Sequence, residues 1–312
     1  PARVPGSDTP GGGDLICLTG HRARTIEAPV HPIGEEVRVK AFLRAVEAAR
    51  LAVAAREERL PLDRVREMVR TAPGALDAVA VLCTQARAVS VIAEVRRATA
   101  TFSDLSGVGD PGVLARFYEA GGAACVSVVT EPLRSHGSLA DLDAVRRAVD
   151  VPVLVHDLIV TPYQVHEARA HGADLLMLDA RLAPLILESL VERTHSLGML
   201  AVVEAHTRAE ALTALRLGAR AVSVDSRDPR NRKVDPGRFA QVAEVVPAAT
   251  MRIAQGGVRG AHDVMEYARA GADVVLVGEA LIRSADPQQF VAELVAAGSH
   301  PALLPAAHRE VS

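Results

Sequence analysis

The chain has 312 residues, of which 49% are apolar, so it can bury one large core or two smaller ones. Its net charge of −3 and its 3% aromatic content argue against a nucleic-acid-binding or membrane-surface protein, which would usually be basic. No apolar run reaches the roughly 20 residues of a membrane span, and residues 1–30 lack the pattern of a secretory signal, so we expect a cytoplasmic protein.

The start of the chain is predicted to lie outside the main domain. Residues 1–14 are rich in proline and glycine, so we expect residues 1–36 to form a flexible N-terminal arm. Residues 37–89 follow a helical apolar pattern, with Pro61 as the start of a second helix. We therefore predict a helical extension that packs on the domain that follows.

From residue 90 the pattern changes to short apolar runs that alternate with helical stretches. The runs are SVIAEV (90–95), ACVSVV (124–129), VPVLV (151–155), LLML (175–178), LAVV (200–203), AVSV (221–224), TMRIA (250–254) and VVLV (274–277). In GGAAC, GADLL, GARAV and GADVV a glycine ends the helix before a strand. Strands that alternate with helices indicate right-handed βαβ units and a parallel sheet.

Eight such units predict an α/β fold: a (β/α)8 TIM barrel over residues 90–298 with an N-terminal helical extension. Residues 299–312 would form a C-terminal tail. An open doubly wound sheet is the alternative. No G-x-G-x-x-G motif follows the first predicted strand, however, so a dinucleotide-binding fold lacks its best signal.

Polar side chains follow nearly every predicted strand at its carboxyl end, where TIM barrels build their active sites. These positions are Glu94 to Arg97, Thr130-Glu131, His156-Asp157, Asp179, Glu204 to His206, Asp225 to Asp228, Gln255 and Glu279. A single polar residue there is ordinarily a helix cap, which is the simpler explanation for Asp179, Asp228 and Glu279. The repeated set favours a site, because unpaired polar groups cost free energy to bury.

The last two predicted strands end in glycine turns. They read Gln255-Gly256-Gly257 and Gly278-Glu279. Barrels commonly bind a phosphate through backbone N–H groups of these two loops, and glycine lets the backbone approach the anion closely. The simpler alternative is a pair of tight turns. Their position in both loops favours a phosphate site.

Seven segments resemble the indole-3-glycerol-phosphate synthase family between about residues 37 and 296. They are AREERLPLDRVR, VIAEVRRATAT, FYEAGGAACVSVVTEPLRSHGSL, VPVLVHDLIVTPYQVHEARAHGADLLML, LGMLAVVEAHT, LGARAVSVDSRD and GADVVLVGEALIR. The resemblance implies a TIM barrel that closes an indole ring by decarboxylation and dehydration. It also implies that Glu94 and Glu204 are family carboxylates, Glu204 being the general base. Arg227 matches a family arginine, and Gly257 and Gly278 match the phosphate loops.

Two lysines of the family's motifs are replaced in this chain. Arg96 stands where the family has a substrate-contacting lysine, and His156 replaces the lysine of K-D-F that acts as general acid. An arginine cannot act as an acid near neutrality, but it suits bidentate binding of a carboxylate or phosphate. A histidine can be an acid or base near its unperturbed pKa of about 6.5.

Other positions depart as well. Leu158 replaces the phenylalanine of K-D-F, and Asp225 replaces the asparagine of N-x-R. Gln255-Gly256 replaces Glu-Ser of E-S-G-I, and Thr99-Ala100-Thr101 lacks the proline of the S-P-S loop. Most changed positions remain polar, which favours a re-specialised enzyme over a decayed one.

The first hypothesis is a divergent member of the family. It would act on a phosphorylated, amine-linked open-chain sugar by ring closure, dehydration or decarboxylation in a specialised biosynthetic pathway. Its catalytic residues would be His156 as acid, Glu204 as base, Glu94 and Arg96. Asp157 would orient His156 or cap the next helix. The substrate-binding residues would be Arg227, Asp225, Gln255, Asp157 and Leu158, and the phosphate-binding residues Gly256, Gly257, Gly278 and Glu279.

Two alternatives remain open at this point. One is an authentic indole-3-glycerol-phosphate synthase of tryptophan biosynthesis that tolerates the substitutions. The other is a non-catalytic phosphosugar-binding barrel. We expect a phosphorylated small-molecule substrate and neither a cofactor nor a metal, because no ligand cluster appears and the three cysteines lack a C-x-x-C spacing. The pattern specifies no oligomeric state.

Overall fold

The structure is a computed structural model that describes residues 32–83, 89–97, 109–228 and 233–303. Eight strands form a closed barrel, in which each strand pairs in parallel with the next along the chain and the last pairs with the first. This confirms the predicted TIM barrel. The strands are β1 Ser90–Val95, β2 Cys125–Val129, β3 Val153–His156, β4 Leu175–Asp179, β5 Leu200–Ala205, β6 Ala221–Asp225, β7 Met251–Gln255 and β8 Val274–Val277.

Helices precede the barrel, connect its strands and follow it. They are α1 Pro32–Arg59, α2 Leu62–Thr71, α3 Ala78–Leu82, α4 Pro111–Ala120, α5 Leu139–Ala148, α6 Pro162–Ala170, α7 Pro184–Ser196, α8 Arg208–Arg216, α9 Pro236–Ala243, α10 Ala261–Arg269, α11 Glu279–Ile282 and α12 Pro287–Gly298. A short 3₁₀ helix, Pro301–Leu303, ends the described chain. None of the described helices is long and apolar enough to cross a membrane.

The helical extension packs against α6. Arg56 of α1 makes an ion pair with Glu167 of α6 at 3.0 Å, and Val53 and Val65 pack with Tyr163 in a small apolar cluster. Helix α1 begins at Pro32, before the expected start at residue 37. Residues 1–31 of the expected arm and 304–312 of the expected tail lie outside the described residues, as do Thr99-Ala100-Thr101.

Two apolar layers hold the barrel together. The inner layer is made of inward-facing strand residues, among them Ile92, Leu154, Val202 and Ile253. The outer layer lies between the sheet and the surrounding helices. Because strand side chains alternate between the two faces, the next inward position after each of these residues points into the mouth of the barrel.

Those next positions are the polar residues of the strand ends. Glu94 follows Ile92 by two, His156 follows Leu154, Glu204 follows Val202, and Gln255 follows Ile253. The parallel register aligns neighbouring strands, so that Asp179 pairs with Glu204 and Asp225 with Gln255. The inward-facing side chains are therefore apolar inside the barrel and polar at its carboxyl end, where the polar groups lie side by side.

Candidate active site

A cavity of about 490 Å³ opens at the carboxyl ends of the strands. Every site residue predicted from the sequence lines it. These are Glu94, Arg96, His156, Asp157, Leu158, Glu204, Asp225, Arg227, Gln255, Gly256, Gly257, Gly278 and Glu279. The barrel thus brings together residues that are far apart in the sequence.

Glu94 lies at the base of the cavity with its carboxylate buried. Its Oε1 pairs with Arg96 at 3.1 Å, and its Oε2 accepts a hydrogen bond from Ser127 Oγ at 3.2 Å. The same Oε2 lies 2.7 Å from His156 Nδ1. Burial alone would raise the pKa of Glu94, but the charges of Arg96 and His156 and these hydrogen bonds outweigh it and lower the pKa to about 2. Glu94 is therefore a fixed negative charge.

His156 stands between two carboxylates. Its Nδ1 faces Glu94, and its Nε2 lies 3.8 Å from Glu204 Oε2. Since a carboxylate only accepts hydrogen bonds, Nδ1 carries a proton and donates a hydrogen bond to Glu94. Burial lowers the pKa of His156, but Glu94 and then Glu204 outweigh this effect and raise it. The protonated form of His156, which can act as an acid, is therefore favoured within the cavity.

Glu204 at the end of β5 is held from two sides. Gln255 Nε2 donates to its Oε2 at 2.5 Å, on the side that faces His156. Its Oε1 lies 3.4 Å from His206 Nε2 on the other side. The sequence placed His206 among the polar strand ends without a role. The structure puts its side chain against the carboxylate of the predicted base.

Charged groups also meet at the ends of β6 and β8. Arg227 donates its backbone N–H to Asp225 Oδ1 at 2.9 Å, and its guanidinium lies 3.8 Å from the carboxylates of Asp225 and Glu279. Burial, followed by the charge of Glu204, raises the pKa of Asp225. The carboxylate of Glu279 is paired with Arg227 and with Arg283. A carboxylate would repel a phosphate, so only the backbone of Glu279 suits the predicted phosphate-binding role.

The glycine turns come close to their neighbours. Gly256 and Gly257 both have φ of +81°, where L side chains are strained. A Cβ would lie 2.5 Å from Asp225 Oδ1 at Gly256, 2.3 Å from a methyl group of Val234 at Gly257, and 2.8 Å from Glu94 Oε1 at Gly278. Glycine is therefore required at these three positions by packing and, at two of them, by backbone conformation.

The role expected for Asp157 needs correction. Its carboxylate accepts hydrogen bonds from Thr130 Oγ1 at 3.0 Å and from the Leu158 backbone N–H at 2.7 Å. The next helix is capped by Thr161, and His156 is oriented by Glu94. Asp157 follows the last residue of β3, and its carboxylate is directed at Thr130 and the Leu158 backbone instead of at His156. Burial raises the pKa of Asp157.

The structure adds cavity residues that sequence reasoning missed. Phe42 of α1 lines the mouth, and the Arg181 guanidinium lies over its ring at 4.3 Å. Arg181 is also paired with Asp179, whose simpler explanation was a helix cap. A charged residue two positions after a strand-end aspartate was the available signal for Arg181. Nothing in the helical pattern of α1 marked Phe42.

A group of three side chains that could hold a metal ion occurs among the described residues on α10, formed by His262, Asp263 and Glu266. It is partly exposed and does not line the cavity. The cavity itself combines carboxylates, an imidazole, guanidinium groups and glycine turns. This set suits acid–base chemistry on an anionic substrate.

A family model described as indole-3-glycerol phosphate synthase matches residues 43–294. The curated indole-3-glycerol phosphate synthase of Mycolicibacterium vanbaalenii is 52% identical over 257 residues, covering 82% of this chain and 94% of that protein. That of Beutenbergia cavernae is 54% identical over 257 residues, covering 82% and 95%. This chain belongs to the indole-3-glycerol phosphate synthase family. Members of this family are carbon–carbon lyases, and a phosphorylated small-molecule substrate fits the family.

Among solved structures, thiamine phosphate pyrophosphorylase from Pyrococcus furiosus matches with a TM-score of 0.53 and 18% identity, covering 70% of this chain and 98% of that one. At this identity the likeness concerns the fold alone.

The first functional hypothesis is wrong. It read the replaced lysines as signs of a divergent enzyme with another phosphosugar substrate. Relatives about half identical over most of the chain are instead named indole-3-glycerol phosphate synthase, as in Mycolicibacterium smegmatis at 51% identity. These names favour the alternative, the enzyme of tryptophan biosynthesis.

Proposed function

We propose that the chain is an authentic indole-3-glycerol phosphate synthase. It would convert carboxyphenylamino-deoxyribulose phosphate into indole-3-glycerol phosphate, carbon dioxide and water. Family membership supports the proposal. The observation that carries it is His156 lying between Glu94 and Glu204, 2.7 and 3.8 Å from their oxygens, within a cavity that also holds glycine turns. An acid, a base and an anion site are the parts that this reaction needs.

His156 is the proposed acid. In ring closure, the ring carbon that bears the carboxylate bonds to the ketone carbon, and the ketone oxygen takes a proton. Nδ1 of His156 is engaged by Glu94, so the proton would leave from Nε2. Glu94 holds the ring in place and stabilises the imidazolium, in the way that a buried carboxylate supports a catalytic histidine elsewhere. An imidazole can therefore supply the proton that a lysine supplies in the family's motif.

Glu204 is the proposed base. Loss of carbon dioxide leaves its bonding electrons on the ring, and the hydroxyl formed on ring closure departs as water after taking a second proton. The sugar-derived chain then gives up one proton, which Glu204 would accept. Two protons enter and one leaves, so each turnover takes up one proton from solvent. Gln255 holds Glu204 at 2.5 Å for this step.

Anionic groups of the substrate would meet two kinds of partner. The backbone N–H groups of Gly256, Gly257 and Gly278 would bind the phosphate. Arg96 and Arg227 would bind substrate anions, since a guanidinium offers paired donors to a carboxylate or phosphate. We assign substrate contact to Asp225, Gln255 and Leu158, and a supporting role to Asp157 and Glu279, whose carboxylates are held by neighbours.

The experiment that tests the proposal is turnover of carboxyphenylamino-deoxyribulose phosphate by the purified full chain. Formation of the indole ring is followed by fluorescence, and release of carbon dioxide is measured in parallel. We expect turnover that saturates with substrate and releases one carbon dioxide per indole formed.

Two carboxylate variants form a matched pair, one at the proposed base and one away from the cavity. Glu204→Gln should lose turnover by a factor of about 10²–10⁴. Glu266→Gln removes a carboxylate on the half-exposed side of α10, away from the cavity, and should keep it. A folded wild-type protein that binds the substrate without converting it would contradict the proposal and favour a phosphosugar-binding barrel.

A further inference from the structure

We propose that His206, backed by Glu210, is a positioning residue that holds the carboxylate of Glu204 in the correct orientation to act as the base. The proposal rests on the function proposed above. It assigns a role to two side chains that do not line the cavity and that act on the reaction only through Glu204.

The three side chains form a row behind the cavity. His206 Nε2 lies 3.4 Å from Glu204 Oε1, and His206 Nδ1 lies 3.4 Å from Glu210 Oε2. The Glu210 Oε2 also accepts the backbone N–H of His206 at 2.7 Å. The His206 side chain is 10% exposed, compared with 24% for Glu210. The imidazole is thus enclosed between two carboxylates.

The two oxygens of Glu204 have separate partners. Oε2 faces the Gln255 amide and His156, on the side of the cavity. Oε1 faces His206. A contact at Oε1 can therefore fix the rotation of the carboxylate while Oε2 stays directed at the substrate. This division is what a positioning residue requires.

The charges around His206 favour its protonated form. Burial lowers the pKa of His206, but Glu210 and then Glu204 outweigh burial and raise it. At the end of β4, the charge of Arg181 lowers the pKa of His206 and the charge of Asp179 raises it. These two side chains are paired with each other. From α9, Arg238 reaches the His206 carbonyl and pairs with Asp228. A protonated ring can pair with the carboxylate of Glu204 through Nε2, which fixes the position of that carboxylate.

Glu210 has a simpler explanation as part of a helix cap. Its backbone N–H donates to Thr207 Oγ1 at the start of α8, and its side chain accepts the His206 N–H one residue before that cap. Glutamine can replace glutamate in such a cap. Glu210→Gln therefore keeps the cap and removes only the charge, which separates the two explanations.

The first experiment is steady-state kinetics on carboxyphenylamino-deoxyribulose phosphate with His206→Gln and Glu210→Gln. Glutamine at 206 keeps a polar side chain there but cannot carry a charge or form the ion pair with Glu204. We expect kcat of His206→Gln to fall about tenfold to a hundredfold with KM nearly unchanged. The pH profile should change as well, because the wild type loses the charge of His206 as the pH rises above its raised pKa, whereas glutamine does not titrate. Glu210→Gln should lower kcat by less.

The chain offers a matched control. His262 and Glu266 on α10 repeat the same spacing, with His262 Nδ1 3.8 Å from Glu266 Oε2, on the surface and away from the cavity. His262→Gln should therefore keep the wild-type kcat and pH profile. If the wild-type protein converts the substrate and His206→Gln keeps the wild-type kcat and pH profile, the positioning role is wrong and the proposed function stands.

The second experiment does not depend on turnover. Titration of the His206 ring is followed by NMR in the wild type, Glu204→Gln and Glu210→Gln. We expect its midpoint to fall in both variants, because each removes a carboxylate that stabilises the imidazolium. If neither variant moves it, the positioning role is wrong. If the midpoint falls but the wild type does not convert the substrate, the coupling stands and the proposed function fails.

Discussion

Two parts of the barrel mouth use opposite kinds of residue. Near the carboxyl ends of β1, β3 and β5 lie Glu94, His156 and Glu204, titratable side chains that meet within a few ångströms. The loops after β7 and β8 offer glycines, where a Cβ would collide with a neighbour. Proton transfer needs side chains whose charges shift one another, whereas a phosphate needs bare backbone N–H groups. The first part should control kcat and the second KM.

The largest effect is expected at Glu94. Glu94→Gln keeps the shape but removes the charge that stabilises the His156 imidazolium. It can also present its amide group to Nδ1, which disfavours the donating tautomer. We expect kcat to fall by a factor of about 10²–10⁴ with KM changed far less. Steady-state kinetics with a thermal unfolding control would measure this. A dominant effect on KM would break the division between the two parts.

The second largest effect is expected in the pH dependence of kcat, through the acid His156. The pKa of His156 is raised, so its acid form persists above the ordinary value of about 6.5 and is lost as the pH rises further. Wild-type kcat should therefore fall on the alkaline side. His156→Lys should carry this limb to higher pH, because an unperturbed lysine has a pKa of about 10.4.

The comparison is made across pH–rate profiles of both proteins. His156→Lys should be the faster enzyme well above neutrality. Coinciding alkaline limbs would remove His156 from the role of acid.

A smaller effect is expected at the phosphate side. In Gly257→Ala the new methyl group meets Val234, so the loop must move, and we expect KM to rise about tenfold with kcat nearly unchanged. Gly218→Ala is the matched control. It shares the positive φ, at +83°, but meets nothing within 4 Å and does not line the cavity. An equal KM for Gly257→Ala and wild type would argue against phosphate binding there.

The smallest effect is expected at the mouth, outside both parts. Phe42→Ala removes the stacking of Arg181, and cation–π pairs at exposed sites contribute about 0.5–1 kcal/mol. We expect the free energy of unfolding to fall by at least that amount, because Phe42 also packs against the apolar core. Leu43→Ala, at the neighbouring exposed position of α1, is the control for chemical denaturation. Equal losses in both variants would show that the Arg181 stacking adds nothing.

The wrong functional hypothesis has a physical lesson. It kept His156 as an acid but took the replacement of the family's lysine as a sign of another substrate, because it compared side chains one at a time. The structure places this imidazole between two carboxylates, 2.7 Å from one and 3.8 Å from the other. Such neighbours favour its protonated form. A replacement can therefore alter the pKa of an acid while leaving an acid in place.

The sequence by itself determined the fold and the membership of the site. Alternating apolar runs located all eight strands, and the site residues predicted at their ends line the cavity, because side-chain alternation is local and the βα unit is repeated. Only the tertiary structure decided the partners. Glu94 and His156 are 62 residues apart, and Glu204 and Gln255 are 51 apart. Which strand ends touch depends on the register between strands and on the direction of each side chain, and no local pattern encodes either.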